Sequence, residues 1–244
     1  MTVHQAEAAQ EVAAALRPLG TPERAAQEKR YLKSDLEFWG VSVPDIRRVV
    51  TAAVRRHPGL SRDEAVALAL ELWRQPVHER RTAAVEVLRL QAALLEPADL
   101  ATIETLIRAS GTWALVDPLA GDIAGRIVLR NPAGWRHVDR WADDADFWVR
   151  RSALLSLLPG IRAGQPDRER FDRYATAMLG EKEFFIRKAI GWVLRDLSRK
   201  DPEYVIAWTE RHLAVMSGVT FREAVRRLPA PEAARLTSLR TGAA

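Results

Sequence analysis

Phe147-Trp148-Val149-Arg150-Arg151-Ser152-Ala153 and Phe184-Phe185-Ile186-Arg187-Lys188-Ala189-Ile190 match position by position at an offset of 37 residues. Seven consecutive matches of residue type mark an internal repeat. Seventy residues before Arg150-Arg151 stands His78-Glu79-Arg80-Arg81-Thr82-Ala83, and 35 residues after Ile186-Arg187 stands Phe221-Arg222-Glu223-Ala224, so the unit is 35 to 37 residues long. Helix pairs of that length cannot bury their apolar faces alone and stack into α-solenoids, in the range of HEAT and tetratricopeptide arrays.

The remaining sequence agrees with helices from end to end. Apolar residues recur at three- and four-residue spacing, as in Val49, Ala52 and Ala53 or Val85 and Leu88, and no alternating β-branched run competes. Proline, glycine and serine clusters from residues 18–22 to 229–231 cut the chain into about a dozen helices of about 10 to 18 residues. Pro22 and Pro44 suit a first helical turn, Ser61 with Glu64 reads as a capping box, and Asp201-Pro202 reads as cap and first turn. The expected fold is all-α, a right-handed α-solenoid of HEAT-like helical repeats with a concave basic face, forming one domain over residues 1–244.

Composition narrows the function. With 48% hydrophobic and 28% charged residues the 244-residue chain has ample material for a packed core. Lys plus Arg number 37 against 32 Asp plus Glu, a net charge of +5, and only five of the 37 are Lys. Arg in such excess suits bidentate phosphate contacts. The absence of Cys excludes disulfides, Cys-ligated zinc, iron–sulfur clusters and a Cys nucleophile. The five His never cluster or form H-E-x-x-H, and no phosphate-loop, dinucleotide or serine-hydrolase signature occurs. No metal and no cofactor are therefore expected. The first residues lack a basic start with an apolar core, and no stretch of about 18 apolar residues follows. A cytoplasmic monomer without membrane contact is expected, nucleoid-associated in a bacterium.

One repeat departs from its siblings. Midway between the copies at 80 and 150 lies Thr112-Trp113-Ala114-Leu115-Val116-Asp117-Pro118. Leu115-Val116 replaces the basic pair, and Asp117 takes the slot filled by Thr82, Ser152, Ala189 and Ala224 elsewhere. Trp113 precedes Asp117 by four residues, so indole and carboxylate share a helical face. The aromatic leads align as Trp113, Trp148 and Phe185, with Trp192 seven residues beyond the last. In register, the basic pairs would form a phosphate-binding ladder with Trp113 and Asp117 at its centre. Two plainer readings stand beside this one: basic pairs can simply be a solvated face, and Asp117-Pro118 can be an N-cap followed by a first-position proline. Of the other Trp residues, 73, 135, 141 and 208 are assigned to core and Trp39 is left open.

Tyr31-Leu32-Lys33, Phe38-Trp39-Gly40-Val41, Pro44, the Thr112-to-Asp117 stretch, Trp148-Val149-Arg150-Arg151 and Phe184-Phe185-Ile186-Arg187-Lys188-Ala189-Ile190-Gly191-Trp192-Val193-Leu194-Arg195 resemble the AlkD-type family of alkylpurine DNA glycosylases, over about residues 25 to 228. The resemblance implies a HEAT-like solenoid that cradles duplex DNA and hydrolyses the glycosidic bond of cationic N3- and N7-alkylated purines without flipping the base. It implies Asp117, Trp113 and Trp192 as the catalytic group and Arg151 as a backbone contact. Arg150, Arg187, Lys188, Arg195, Tyr31, Lys33 and Trp148 complete the expected DNA-binding set. Pro118 departs from the family pattern, because proline disfavours helix at the residue before it.

Elementary chemistry agrees with a lone carboxylate. An alkylated purine already carries positive charge, leaves as a neutral base and needs no general acid. The rival from another class is a catalytically silent solenoid that binds DNA or a protein partner and is indifferent to Asp117. A purely protein-binding scaffold would not explain basic pairs recurring at one phase.

Overall fold

The computed structural model describes residues 3–242 and is helical wherever it is regular, apart from one isolated bridge between Glu37 and Val77. The chain divides into two compact units, Met1–Ile123 and Ala124–Ala244. The first holds α1 (Val3–Leu16), α2 (Pro22–Leu32), α3 (Val43–Arg56), α4 (Arg62–Trp73), α5 (His78–Leu90), α6 (Leu100–Arg108) and α7 (Trp113–Asp117). The second holds α8 (Gly125–Arg130), α9 (Trp135–Trp141), α10 (Phe147–Leu155), α11 (Leu158–Arg162), α12 (Arg168–Met178), α13 (Phe184–Leu197), α14 (Pro202–His212), α15 (Gly218–Val225) and α16 (Ala230–Gly242). Among the described residues no helix is long and apolar enough to cross a membrane.

The helices begin where local chemistry allows. Thr21 caps α2 ahead of Pro22, Ser42 caps α3 with Pro44 in its first turn, and Asp201 caps α14 ahead of Pro202. Ser61 and Glu64 satisfy each other's backbone N–H groups as a full capping box. Inward faces follow helical spacing: α3 buries Ile46, Val50 and Ala53, and α13 buries Ile186, Ala189, Ile190, Val193 and Leu197.

The 37-residue offset is physical. Asp146 and Glu183 cap α10 and α13, each accepting from the N–H two residues on, Trp148 at 2.8 Å and Phe185 at 3.2 Å. Arg150 and Arg187 each reach back six residues to a loop carbonyl, Asp144 at 2.5 Å and Glu181 at 2.7 Å. Arg80 likewise turns to the last turn of α4, at Glu71 O and Leu72 O, both 3.4 Å. The second members bond forward into the next repeat: Arg81 donates to Ala109 O at 2.7 Å and Arg151 to Phe185 O at 2.5 Å.

These basic side chains are thus also engaged within the protein. Arg80, Arg81, Arg150 and Arg187 meet carbonyls at helix C-termini or in loops, which have no helical partner of their own, whereas Arg151 adds a second donor to Phe185 O in the first turn of α13. Arg151 is 1% exposed, and its guanidinium is held by an internal acceptor. Trp73, Trp141 and Trp208 are core as expected, whereas Trp135 is half-exposed beneath the Arg170 guanidinium, 4.6 Å from its ring centroid.

Candidate active site

Thr112 caps the short α7, its Oγ1 accepting from Ala114 N at 3.4 Å, and Trp113 is the first helical residue. Leu115 and Val116 point into the core, which explains why the basic pair is missing here: in this repeat the inward slots carry apolar side chains. Trp113 and Asp117, one turn apart, share the half-exposed face.

Asp117 stands at the junction of two helical stretches. It closes α7, and Pro118 continues the helical backbone at φ −69°, ψ −34° into a π-helical stretch, Pro118–Ala124. Proline lacks the donor for an i−4 bond and its ring crowds that carbonyl, so a wider i→i+5 turn accommodates it where a regular α-turn would not. The equivalent slot is buried at Thr82, Ser152, Ala189 and Ala224, yet Asp117 is only half-buried. A position that is core in four repeats is thus partly open in the fifth, and it is acidic.

Tyr31 comes from the end of α2 and stands edge-on to Trp113, ring centroids 5.9 Å apart at 90°, with 70% of its surface exposed. Lys33 follows in the left-handed conformation, φ 50°, and is exposed. Within the first unit the structure therefore brings Tyr31, Trp113 and Asp117 to one neighbourhood.

In the second unit Trp192 is half-exposed, with Arg151, Arg195 and Lys188 at 5.4, 5.5 and 5.7 Å from its ring. Cation–π attraction holds these charges near the indole. Arg195 also pairs with Glu223 at 2.5 Å, and Arg150 with Glu181 at 2.7 Å. Trp148 is half-exposed and packs on Phe147 at 4.5 Å and Phe185 at 4.8 Å. Lys188, Arg195 and Trp148 keep exposed surface, while Arg150 and Arg187 are largely engaged with protein acceptors.

Sequence reading passed over Glu79, although it stands inside the quoted repeat. Fully buried at the start of α5, its carboxylate accepts from Trp39, Gly40 and Val41 N–H at 3.0, 2.6 and 3.2 Å. Burial pushes its pKa up while those three donors pull against the shift. Beside it, burial pulls His78 down to about 4, with Phe38 stacked on its ring at 4.7 Å. Among the described residues no cluster of three His, Asp or Glu could hold a metal ion.

The family model for DNA alkylation repair enzymes matches residues 12–228. Among solved structures, one of a predicted DNA alkylation repair enzyme from Enterococcus faecalis aligns with a TM-score of 0.75 at 20% identity, covering 86% of this chain and 97% of that one. No curated protein matches the sequence. The all-α repeat fold is thus that of a DNA alkylation repair enzyme. The chain belongs to the DNA alkylation repair enzyme family, and its role is in DNA repair.

Proposed function

We propose that the chain is a monofunctional DNA glycosylase that hydrolyses the N-glycosidic bond of cationic N3- and N7-alkylated purines in duplex DNA, without base flipping, lyase activity or a cofactor. The observation that carries this reading is Asp117, a half-buried acid in a slot that other repeats bury fully, one turn from Trp113.

The chemistry follows from charge. As the C1′–N bond breaks, its electron pair goes to the cationic purine, which departs neutral, and positive charge builds on the deoxyribose. A fixed carboxylate stabilises that charge by Coulomb attraction, and an indole face adds about 0.5 to 2 kcal/mol when desolvated. Asp117 also orients a water whose oxygen bonds to C1′ and whose proton passes to the carboxylate or solvent. The resemblance adds Trp192 as a second indole, and residues 1–244 acting as one HEAT-like domain is part of the same reading. Tyr31, Lys33, Trp148, Lys188 and Arg195 are the side chains assigned to the duplex.

The test is incubation of the protein with duplex DNA containing N7-methylguanine and quantitation of free base. Release by wild type, reduced in Asp117→Asn, supports the reading. Tight duplex binding with no release favours the catalytically silent solenoid.

A further inference from the structure

α2 is an unusual element to carry a site residue. Its 11 residues include none that is buried, and isolated helices shorter than about 12–15 residues are marginal in water. Something outside the helix must fix it.

That support is Gly40. Thr21 N donates to Gly40 O at 3.3 Å, and a Cβ on Gly40 would lie 2.2 Å from Thr21 O and 2.6 Å from Ala25 N. The first turn of α2 therefore rests on the peptide at residue 40 with room for hydrogen alone. Gly20, just before the helix, is pressed as closely on Trp39 O, 2.0 Å from its would-be Cβ.

Gly40 has φ +78°, and its N–H converges with those of Trp39 and Val41 into a concave nest that suits an anion. The anion is the Glu79 carboxylate, 0% exposed. Among the described residues no cation pairs with it, so these backbone donors are its main compensation. The first turn of α5 adds the positive end of a helix dipole.

We infer that Glu79 is a positioning residue for the site: by pinning residues 39–41 it sets the seat of α2 and hence the placement of Tyr31 against Trp113. The inference rests on the glycosylase reading for its effect on rate, but its geometric half stands apart from it. Thr21 and Tyr31 are about 15 Å apart along the helix axis at 1.5 Å per residue, so a tilt of about 10° at the seat displaces Tyr31 by about 2–3 Å. Misplacements of about 1 Å at a reacting centre cost up to roughly 10²-fold in rate.

The experiment is a double-mutant cycle between Glu79→Gln and Tyr31→Ala, read as single-turnover release of N7-methylguanine, with amide hydrogen exchange over residues 22–32 measured in parallel. Glu79→Gln keeps the shape but loses the charge and one acceptor. Gly40→Ala, which disturbs the seat directly while leaving the Glu79 side chain in place, serves as a second route if the Gln variant folds poorly. The expected result is faster exchange across α2 in both seat variants, release slowed about 10- to 10²-fold, and no further loss when Tyr31→Ala is added. Additive losses, or unchanged exchange in α2, would overturn the inference. If the wild-type protein releases no base, the glycosylase reading fails separately, and the same cycle is read on duplex affinity, where additivity again overturns the coupling.

Discussion

Arg151 of α10 donates to the Phe185 carbonyl of α13 at 2.5 Å and lies 5.8 Å from the Phe185 ring, so one guanidinium joins two successive repeats. With the side chain 1% exposed, Arg151→Ala removes a charged hydrogen bond and leaves a cavity. A loss of roughly 2–4 kcal/mol is expected. Urea denaturation checks it; a midpoint shift below about 0.5 kcal/mol, typical of surface positions, would show the staple to be idle.

Asp117→Asn keeps the size of the side chain and removes its charge. Asn keeps most of the capping ability of Asp, so a carboxylate that served only as a helix cap would tolerate the change almost unchanged. Base release is expected to fall by roughly 10² or more, the scale of losing one preorganised electrostatic group, while melting temperature and affinity for undamaged duplex stay near wild type. Wild-type release rates in the variant would make the carboxylate structural.

His78 sets an acid limit on stability. Burial holds its folded-state value at about 4, below the ordinary 6.5, so the unfolded chain takes up a proton first as pH falls. The stabilisation is complete above pH 6.5 and is lost between there and about 4, to a total of roughly 3 kcal/mol. His78→Gln should flatten the difference in urea midpoint between pH 7 and pH 4.5 relative to wild type. Parallel pH curves would mean that other groups carry the acid sensitivity.

Lys33 separates charge from fold. In the left-handed region Gly is unstrained, so Lys33→Gly should leave stability unchanged or raise it by up to about 1 kcal/mol. Removing an exposed cation should also weaken duplex binding and shallow the dependence of log K on log salt by about 1. An unaltered slope would take Lys33 out of the phosphate-binding set.

What could be read from sequence was what is decided locally. The Ser61 capping box, the Asp201 cap and the first-turn Pro22 depend on residues within four positions, and the repeat depends on matching side chains, so both were legible. The direction of the basic pairs was not: Arg150 and Arg187 bond loop carbonyls six residues back, and Arg151 a carbonyl 34 residues on, acceptors that no helical periodicity announces. The π-helical response to Pro118 was hidden for a similar reason, since proline signals a break and only the surrounding packing makes the chain widen its turn instead. At the candidate site, the four-residue spacing put Trp113 and Asp117 on one face, whereas nothing local relates Tyr31 to Trp113 across 82 residues.

The forward-reaching staples also govern how each unit comes apart. In a stacked array, stability is a sum of terms intrinsic to each repeat and terms between nearest neighbours. Arg81 to Ala109 in the first unit and Arg151 to Phe185 in the second reach forward, Thr220 donates back to Arg187 O, and all three belong to the neighbour terms. A repeat that loses its successor forfeits a hydrogen-bonding anchor together with its apolar contact. Each unit should therefore melt as a cooperative block, without fraying helix by helix, and truncation after α13 should be severely destabilising, because it removes the Thr220 anchor together with the broad packing of α15 on α13.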